Sequence, residues 1–115
     1  PSATEAVMIA GGVGITPFRS MLRDKTEKKN PLHTSVIHVS GGEYLYAHEI
    51  AMVTDEYIQT KRNRLPESIG LILDTHPTAQ YYVAGSPTFV ETTLALLSEK
   101  GISAESDSFK GLEEI

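Results

Sequence analysis

The sequence contains no cysteine, and it has no long hydrophobic run. The lack of cysteine excludes a disulfide framework, a cysteine nucleophile and an iron–sulfur cluster held by thiolates of this chain. It is compatible with a reducing compartment, and we predict a cytoplasmic location. No apolar stretch approaches membrane-spanning length and the first residues lack signal-peptide character, so no membrane span is expected.

Positive charge is also scarce. Ten lysines and arginines face 15 aspartates and glutamates, which gives a formal net charge of −5. Basic residues cluster only at 61–64, in the order K-R-N-R, and this argues against nucleic-acid binding as the main role. The hydrophobic fraction of 40% and the charged fraction of 22% are those of a globular protein. At 115 residues we expect residues 1–115 to form a single domain.

The sequence also lacks the common motifs of metal and hydrolytic sites. The four histidines, His33, His38, His48 and His76, show neither H-x-x-x-H nor H-E-x-x-H spacing, so no metal site is predicted. Ser86 lies between a predicted strand and a predicted helix, but the G-x-S-x-G elbow of a serine hydrolase is absent. We therefore expect no hydrolytic triad.

The most informative segment begins with an apolar run, Ala6 to Ala10, which is typical of a strand buried on both faces. Three glycines follow at positions 11, 12 and 14, and such a turn lets backbone N–H groups approach a bulky anion. Thr16 is a predicted helix N-cap and Pro17 a predicted first helical residue. The segment therefore favours a phosphate or pyrophosphate at a helix N-terminus.

Two other interpretations of the glycine turn stay open. Glycines after a strand also serve only to let a helix pack closely on a sheet. The turn also suits a flavodoxin-like or phosphoryl-handling domain that binds some other phosphate. The spacing is neither G-x-G-x-x-G nor that of a P-loop, and no lysine follows the last glycine. We therefore do not expect ATP or GTP hydrolysis of the P-loop kind.

The rest of the chain alternates strand and helix signals. Strands are predicted at 32–39, 56–60, 79–84 and from residue 102, with helices at 46–55, 66–75 and from 87 to about 100. This alternation predicts an α/β fold with three layers: a doubly wound, five-stranded parallel sheet in the order 3-2-1-4-5, with helices on both faces. In that order the turns after strands one and four are neighbours at the switch point, where open α/β sheets bind ligands.

The stretch MIAGGVGITPFRSML resembles the first strand, glycine loop and helix of the NAD(P)-binding domain in the ferredoxin–NADP reductase superfamily of flavoenzymes. In that family the turn lies under the pyrophosphate and the nicotinamide side of the nucleotide. The resemblance implies cofactor-binding roles for Gly11, Gly12, Val13, Gly14, Ile15, Thr16 and Pro17.

The end of the second predicted strand is similar to the same family, in which a serine there meets the adenosine ribose or its 2′-phosphate. Ser40 and Gly41 occupy that place. An arginine that commonly follows the serine in NADPH-preferring members is missing, since Gly41 and Gly42 stand there. The resemblance thus slightly favours NADH over NADPH, although the basic residues at 61–64 offer an alternative source of charge.

The stretch YYVAGSPTFVETTLALLSEKGI resembles the second signature of the family, typically C-G-P-P followed by a helix. It implies that Ala84, Gly85, Ser86 and Pro87 contact the nicotinamide end. Ala84 stands where cysteine is common, but the hydride passes between cofactors and not through the protein. An alternative role for Ser86 is that of a helix cap.

The end of the chain carries a weaker resemblance, an acidic residue followed after one position by an aromatic residue. Asp107 and Phe109 fit this pattern. The resemblance implies a catalytic role for Asp107, electrostatic or proton-handling, and a place for Phe109 beside the flavin. The alternative for Asp107 is a solvated carboxylate. Residues 112–115 are predicted to be disordered or to belong to an extension.

The resemblance predicts the pyridine-nucleotide-binding domain of a flavin-dependent NAD(P)H oxidoreductase, which positions nicotinamide for hydride transfer to or from a flavin. We expect FAD or FMN to be held by a flavin-binding domain or subunit, because the family's flavin barrel has no counterpart in this chain. The start at Pro1 suggests a piece of a longer chain or a partner of a separate flavin subunit, inactive alone. The alternative is a non-catalytic nucleotide-binding or assembly module, motivated by Ala84.

Overall fold

A computed structural model describes residues 4–108, which form five strands, four α-helices and two short 3₁₀ turns. Phe109 and residues 112–115 lie outside the described residues. The elements, in chain order, are β1 (Glu5–Gly11), a 3₁₀ turn (Gly12–Gly14), α1 (Ile15–Glu27), β2 (His33–Val39), α2 (Ala47–Val53), β3 (Glu56–Thr60), a 3₁₀ turn (Arg62–Arg64), α3 (Leu65–Thr75), β4 (Gln80–Gly85), α4 (Pro87–Glu99) and β5 (Ala104–Ser108).

The five strands form one parallel sheet in the order β3-β2-β1-β4-β5. This confirms the predicted fold class and strand order. The central strand β1 pairs with β2 and β4 along most of its length, and Ala10 lies opposite both His38 and Ala84. The carboxyl ends of β1 and β4 are therefore neighbours, as the switch-point argument requires.

Helices cover both faces of the sheet because side chains of a strand alternate between its faces. Val7 and Ile9 of β1 pack into a core with α3 and α4, whereas Met8 and Ala10 pack into a second core with α1 and α2. Side chains such as Ile9, which is fully buried, each contribute about 1.5–3 kcal/mol through removal from water. Among residues 4–108, no helix has the length and apolar character needed to cross a membrane.

The start of α1 differs from the prediction. The N-cap is Gly14, which has no side-chain cap, and the helix begins at Ile15 instead of Pro17. The chain enters α1 directly from the 3₁₀ turn, because the Ile15 N–H already bonds to the carbonyls of Gly12 and Val13. Thr16 therefore lies inside the first turn and caps nothing, so its assignment as N-cap is wrong. Pro17 is still within that turn, where a missing N–H costs little.

The start of α4 agrees with the prediction. Ser86 has extended backbone angles, and its hydroxyl oxygen accepts a hydrogen bond of 3.2 Å from the N–H of Phe89. Pro87 is the first helical residue. Its fixed φ and missing N–H suit that position. The alternative role of Ser86 as a helix cap is thereby confirmed.

Candidate functional site

A cleft of about 480 Å³ lies at the carboxyl ends of the central strands. It is called the carboxyl-end cleft below. The β1 turn and the start of α4 form two of its walls, and the segments after β2 and β3 close the far side. Its lining residues are Gly11, Gly12, Val13, Val39, Ser40, Gly41, Lys61, Arg62, Ser86 and Phe89.

Gly14 explains how the turns after β1 and β4 come so close together. A Cβ on Gly14 would clash with the carbonyl oxygen of Ala84, closer than any real side chain approaches a backbone atom. The backbone of the β1 turn therefore contacts the end of β4 directly. Gly12, with φ of +55°, adopts the left-handed conformation that glycine favours, and its missing Cβ would face open space. The turn thus exposes bare backbone toward the cleft.

Phe89 forms an apolar part of the cleft lining. Its ring is nearly buried and lies under Gly11, where a Cβ would come within 2.6 Å of the ring. The sequence prediction did not place this side chain at the site. The position of Phe89 in the sequence, three residues after Ser86, could have indicated the site. The third residue of a helix that begins at a cleft lies close to that cleft.

A hydrogen-bonded pair, buried His38 and half-buried Tyr57, lies against the glycine turn. The Gly12 carbonyl accepts a hydrogen bond of 3.3 Å from Nε2 of His38, and Nδ1 of His38 accepts one of 3.0 Å from the Tyr57 hydroxyl. His38 is fully buried, and burial lowers the pKa of its imidazole while the bond to Gly12 acts in the opposite direction. Both bonds fit a neutral ring with its proton on Nε2. Nothing in the local sequence distinguished His38 from a core residue.

The charges around the carboxyl-end cleft favour an anion. Lys61 and Arg62 line it, and none of the described lining residues is acidic, although the whole chain carries a net charge of −5. The first turns of α1 and α4 also contain no acidic residue. The Lys61 ammonium lies 5.1 Å from the ring centroid of Tyr44, whose hydroxyl donates to the Thr60 carbonyl. A cation is thus held at the rim by a fixed aromatic ring.

Two serine hydroxyls line the carboxyl-end cleft from different sides. Ser40 donates to the Glu43 carbonyl at 2.8 Å and accepts from the Gly42 N–H at 3.1 Å, which closes the loop after β2. Beside it, a Cβ on Gly41 would meet no atom within 4 Å. Ser86 accepts from Phe89, so its own O–H hydrogen can point to a ligand.

The other predicted site residues lie around the cleft or apart from it. Ile15 is fully buried in the core beneath α1, and Thr16 is exposed on the first turn. Pro17, Ala84 and Asp107 border a separate hollow of about 100 Å³ between α1 and the ends of β4 and β5. Asp107 is exposed there. The structure therefore brings the glycine turn, Ser40, Gly41 and Ser86 together, and it places Asp107 elsewhere.

Comparison with known proteins agrees with this architecture. The oxidoreductase NAD-binding domain family matches residues 8–65, which extend from β1 to the start of α3 and include the glycine turn. A flavohemoprotein from Bacillus subtilis (strain 168) is 29% identical over 126 aligned positions, covering 91% of this chain and 32% of that protein. The chain thus spans about a third of the length of this relative. It belongs to the oxidoreductase NAD-binding domain family, the pyridine-nucleotide-binding domains of the ferredoxin–NADP reductase superfamily.

Proposed function

We propose that the chain binds NAD(P)H in the carboxyl-end cleft and presents the nicotinamide to a flavin held by another domain or subunit. The observation that carries the proposal is the pairing of Ala10 with Ala84, which joins the two strand-to-helix turns in one anion-favouring cleft. Family membership and the flavohemoprotein relative give the proposal independent support.

The residues of the cleft fit the pyrophosphate of a dinucleotide. Gly12 offers backbone without a shielding side chain, and α4 directs the positive end of its dipole to the same space. Ser86 supplies a hydroxyl donor at that helix start. On the opposite side, Ser40 and Gly41 leave room for the adenosine ribose. For Asp107 and Phe109 we propose the roles beside the nicotinamide and the flavin that the family resemblance implies.

The chain's contribution to the reaction is orientation. When bound, the reduced nucleotide supplies a hydride and the flavin, FAD or FMN, accepts it, or the transfer runs in reverse. The β1 turn and the start of α4 hold the nucleotide in one pose, which removes much of the entropic cost of bringing two cofactors together. No side chain of this domain needs to carry the hydride, so alanine at position 84 is compatible with the reaction.

We propose a modest preference for NADH over NADPH. Gly41 and Gly42 place no positive charge directly after Ser40, where a 2′-phosphate would lie. Lys61 and Arg62 line the same side of the cleft and would partly compensate for that lack. We therefore expect the dissociation constants of NADH and NADPH to differ by about tenfold or less, the equivalent of one solvent-exposed charge contact.

Calorimetric titration of the purified chain with NADH tests the binding proposal. Gly41→Asp adds a carboxylate to the cleft at a position with space for a side chain, so it should weaken NADH binding by about tenfold or more through charge repulsion. Gly41→Asn has nearly the same shape without the charge and should retain most of the affinity. Absence of saturable binding to wild type, or equal effects of the two substitutions, would contradict the proposal.

The flavin part of the proposal has a separate test. We expect the purified chain mixed with NADH and free FAD or FMN to oxidise NADH no faster than the flavin alone, because a second domain must hold the flavin. Addition of the flavin-binding domain or subunit should then give rapid flavin reduction. NADH binding without such reduction would favour the alternative, a non-catalytic nucleotide-binding module. We also propose that the protein works in the cytoplasm.

A further inference from the structure

A second cluster of chemically active side chains lies at the opposite edge of the sheet, where the parallel strands begin. His33 is the first residue of β2, Glu56 is the first residue of β3, and His76 directly follows α3. These three residues are called the amino-edge cluster below. Glu5, the first residue of β1, lies beside them and pairs in register with His33. β1 separates this edge from the carboxyl-end cleft by about 20 Å, given a rise of about 3.3 Å per residue.

The side chains of the amino-edge cluster are already close together. Nε2 of His76 is 2.7 Å from a carboxylate oxygen of Glu56, and the rings of His33 and His76 are 4.9 Å apart between centroids. One potential ligand atom from each of the three residues lies within 4.8 Å of the others. The side chain of His76 is only 8% exposed, so the cluster is more than a solvated surface group.

One atom of this cluster has no partner. Nδ1 of His33 is buried and makes no hydrogen bond to any described residue. A buried polar atom without a partner costs about 1–3 kcal/mol, so native proteins rarely leave one unpaired. This nitrogen therefore points to a ligand that satisfies it.

We propose that His33, Glu56 and His76 form a binding site for a divalent transition-metal ion, and that zinc fits it best. Two imidazoles and one carboxylate are a common zinc ligand set, with a water molecule in the fourth position. Ligand atoms bonded to zinc at about 2.0–2.2 Å lie about 3.3–3.6 Å apart in a tetrahedron. The three ligand atoms now lie within 4.8 Å of one another, so binding would need them to approach by little more than about 1 Å.

Two neighbouring groups are placed to orient the ligands. Glu5 accepts a hydrogen bond of 3.1 Å from Nδ1 of His76, which leaves Nε2 to face the ion. The Ser35 hydroxyl donates at 2.8 Å to Oε1 of Glu56 and fixes that carboxylate. Carboxylate partners of metal-binding histidines commonly set the tautomer and raise the basicity of the ligand. The amino-edge cluster thus has both the ligands and the support that a metal site needs.

Protons and the ion compete for the same atoms. Without metal, both ring nitrogens of His76 face carboxylates, which suits the protonated ring. The charged or titratable groups around it are Glu5, His33 and Glu56, with Asp55 near His33 and the Tyr81 hydroxyl bonded to the His76 carbonyl. Because zinc requires a neutral imidazole, its affinity should fall as the pH is lowered from 8 to 6.

The proposed ion would join β2, β3 and the segment before β4 at one point. A ligand that binds only the folded chain raises its thermal midpoint. The site is far from the carboxyl-end cleft and shares no residue with it. Zinc binding should therefore stabilise the fold without changing the affinity for NADH, and the two sites can be tested independently.

Calorimetric titration of the chelator-treated chain with zinc chloride is the direct test. We expect one zinc per chain, a higher thermal midpoint, and at least tenfold weaker binding in His33→Ala and Glu56→Gln, both of which change partly exposed side chains. Glu5→Gln should weaken binding by about tenfold, the effect of losing an orienting carboxylate. His48→Ala removes an exposed histidine outside the cluster and should leave binding unchanged.

Cobalt(II) provides a second measurement, because tetrahedral cobalt absorbs visible light far more strongly than octahedral cobalt. We expect intense absorption with wild type and with His48→Ala, and loss of it with His33→Ala, whose folding is checked by circular dichroism. No saturable zinc binding, or equal binding by wild type and a folded His33→Ala variant, would overturn the proposal.

Discussion

Gly14 is a position at which the fold requires glycine. The carbonyl of Ala84 occupies the space where a side chain would be, so the turn after β1 can touch the end of β4 only with glycine at this position. Gly41 lines the same carboxyl-end cleft but faces open space. The sequence shows the glycines clearly, but only the structure separates the one required by packing from the one that leaves room for a ligand.

Gly14→Ala should therefore destabilise the fold by about 3 kcal/mol or more, because the clash is with backbone that cannot rotate away. Gly41→Ala should change the free energy of unfolding by less than about 0.5 kcal/mol. Urea denaturation followed by circular dichroism measures both. Similar stabilities for the two variants would show that the β1 turn does not contact β4 as described.

His38 gives a prediction for how the stability of the fold depends on pH. Its folded-state pKa is lowered mainly by burial, so the unfolded chain binds this proton more readily. Its contribution to stability is complete above the unfolded pKa of about 6.5 and is lost as the pH falls from there through the lower folded value. His76 has the opposite sign: burial lowers its pKa, but hydrogen bonds to Glu56 and Glu5 raise it overall.

The comparison of wild type with His38→Gln isolates the effect of His38 on stability. Glutamine can donate to the Gly12 carbonyl and accept from Tyr57 without titrating. We expect the free energy of unfolding of wild type to fall more steeply than that of His38→Gln between pH 6.5 and 5. Parallel curves for the two proteins would show that His38 is not held neutral.

At the scale of elements, the two helices that border the cleft differ in how they begin. Ser86 is extended and its side chain caps α4, which was the alternative role considered for this serine. Before α1 the chain is already helical, so Thr16 has no capping role although T-P carries the same signal. The difference lies in the backbone angles of the preceding residue, which are helical at Gly14 and extended at Ser86. The same local pattern, serine or threonine before proline, therefore marks the N-cap of α4 but not that of α1.

Ser86→Ala should lower the free energy of unfolding by about 1 kcal/mol, because the Phe89 N–H loses its acceptor. It should also weaken NADH binding by removing a hydroxyl from the cleft. Ser86→Thr keeps the hydroxyl and should retain most of both properties. Denaturation and calorimetry on the same samples separate the two effects, and unchanged stability in Ser86→Ala would contradict the cap.

Helix α3 offers a stabilising change away from both sites. Gly70 lies in the interior of this helix, and a Cβ there would meet nothing within 4 Å. Gly70→Ala should therefore raise the free energy of unfolding by about 0.5–1 kcal/mol, the difference in helix propensity between the two residues. The urea midpoint measures this gain, and a loss of stability would mean that the space beside Gly70 is filled.

At the scale of the whole molecule, the sequence predicted the strand order of the sheet and the proximity of two turns at its carboxyl edge. Strand order, helices on both faces and the meeting of the β1 and β4 turns followed from alternating patterns and from the rules for parallel sheets. The contacts of His38 and of the amino-edge cluster could not be predicted in this way, because their partners come from distant parts of the chain. His33, Glu56 and His76 are at least 20 positions apart, so no local spacing could reveal them.

The central claim is that one cleft, built by the turns after β1 and β4, holds the nucleotide. Its most direct test is a titration of the ¹⁵N-labelled chain with NADH, followed by backbone amide chemical shifts. We predict that the largest shifts occur at Gly11, Gly12, Gly41 and Ser86, with little change at His33 and His76 on the opposite edge. Shifts centred on that opposite edge, or no saturable shifts in the cleft, would contradict the account.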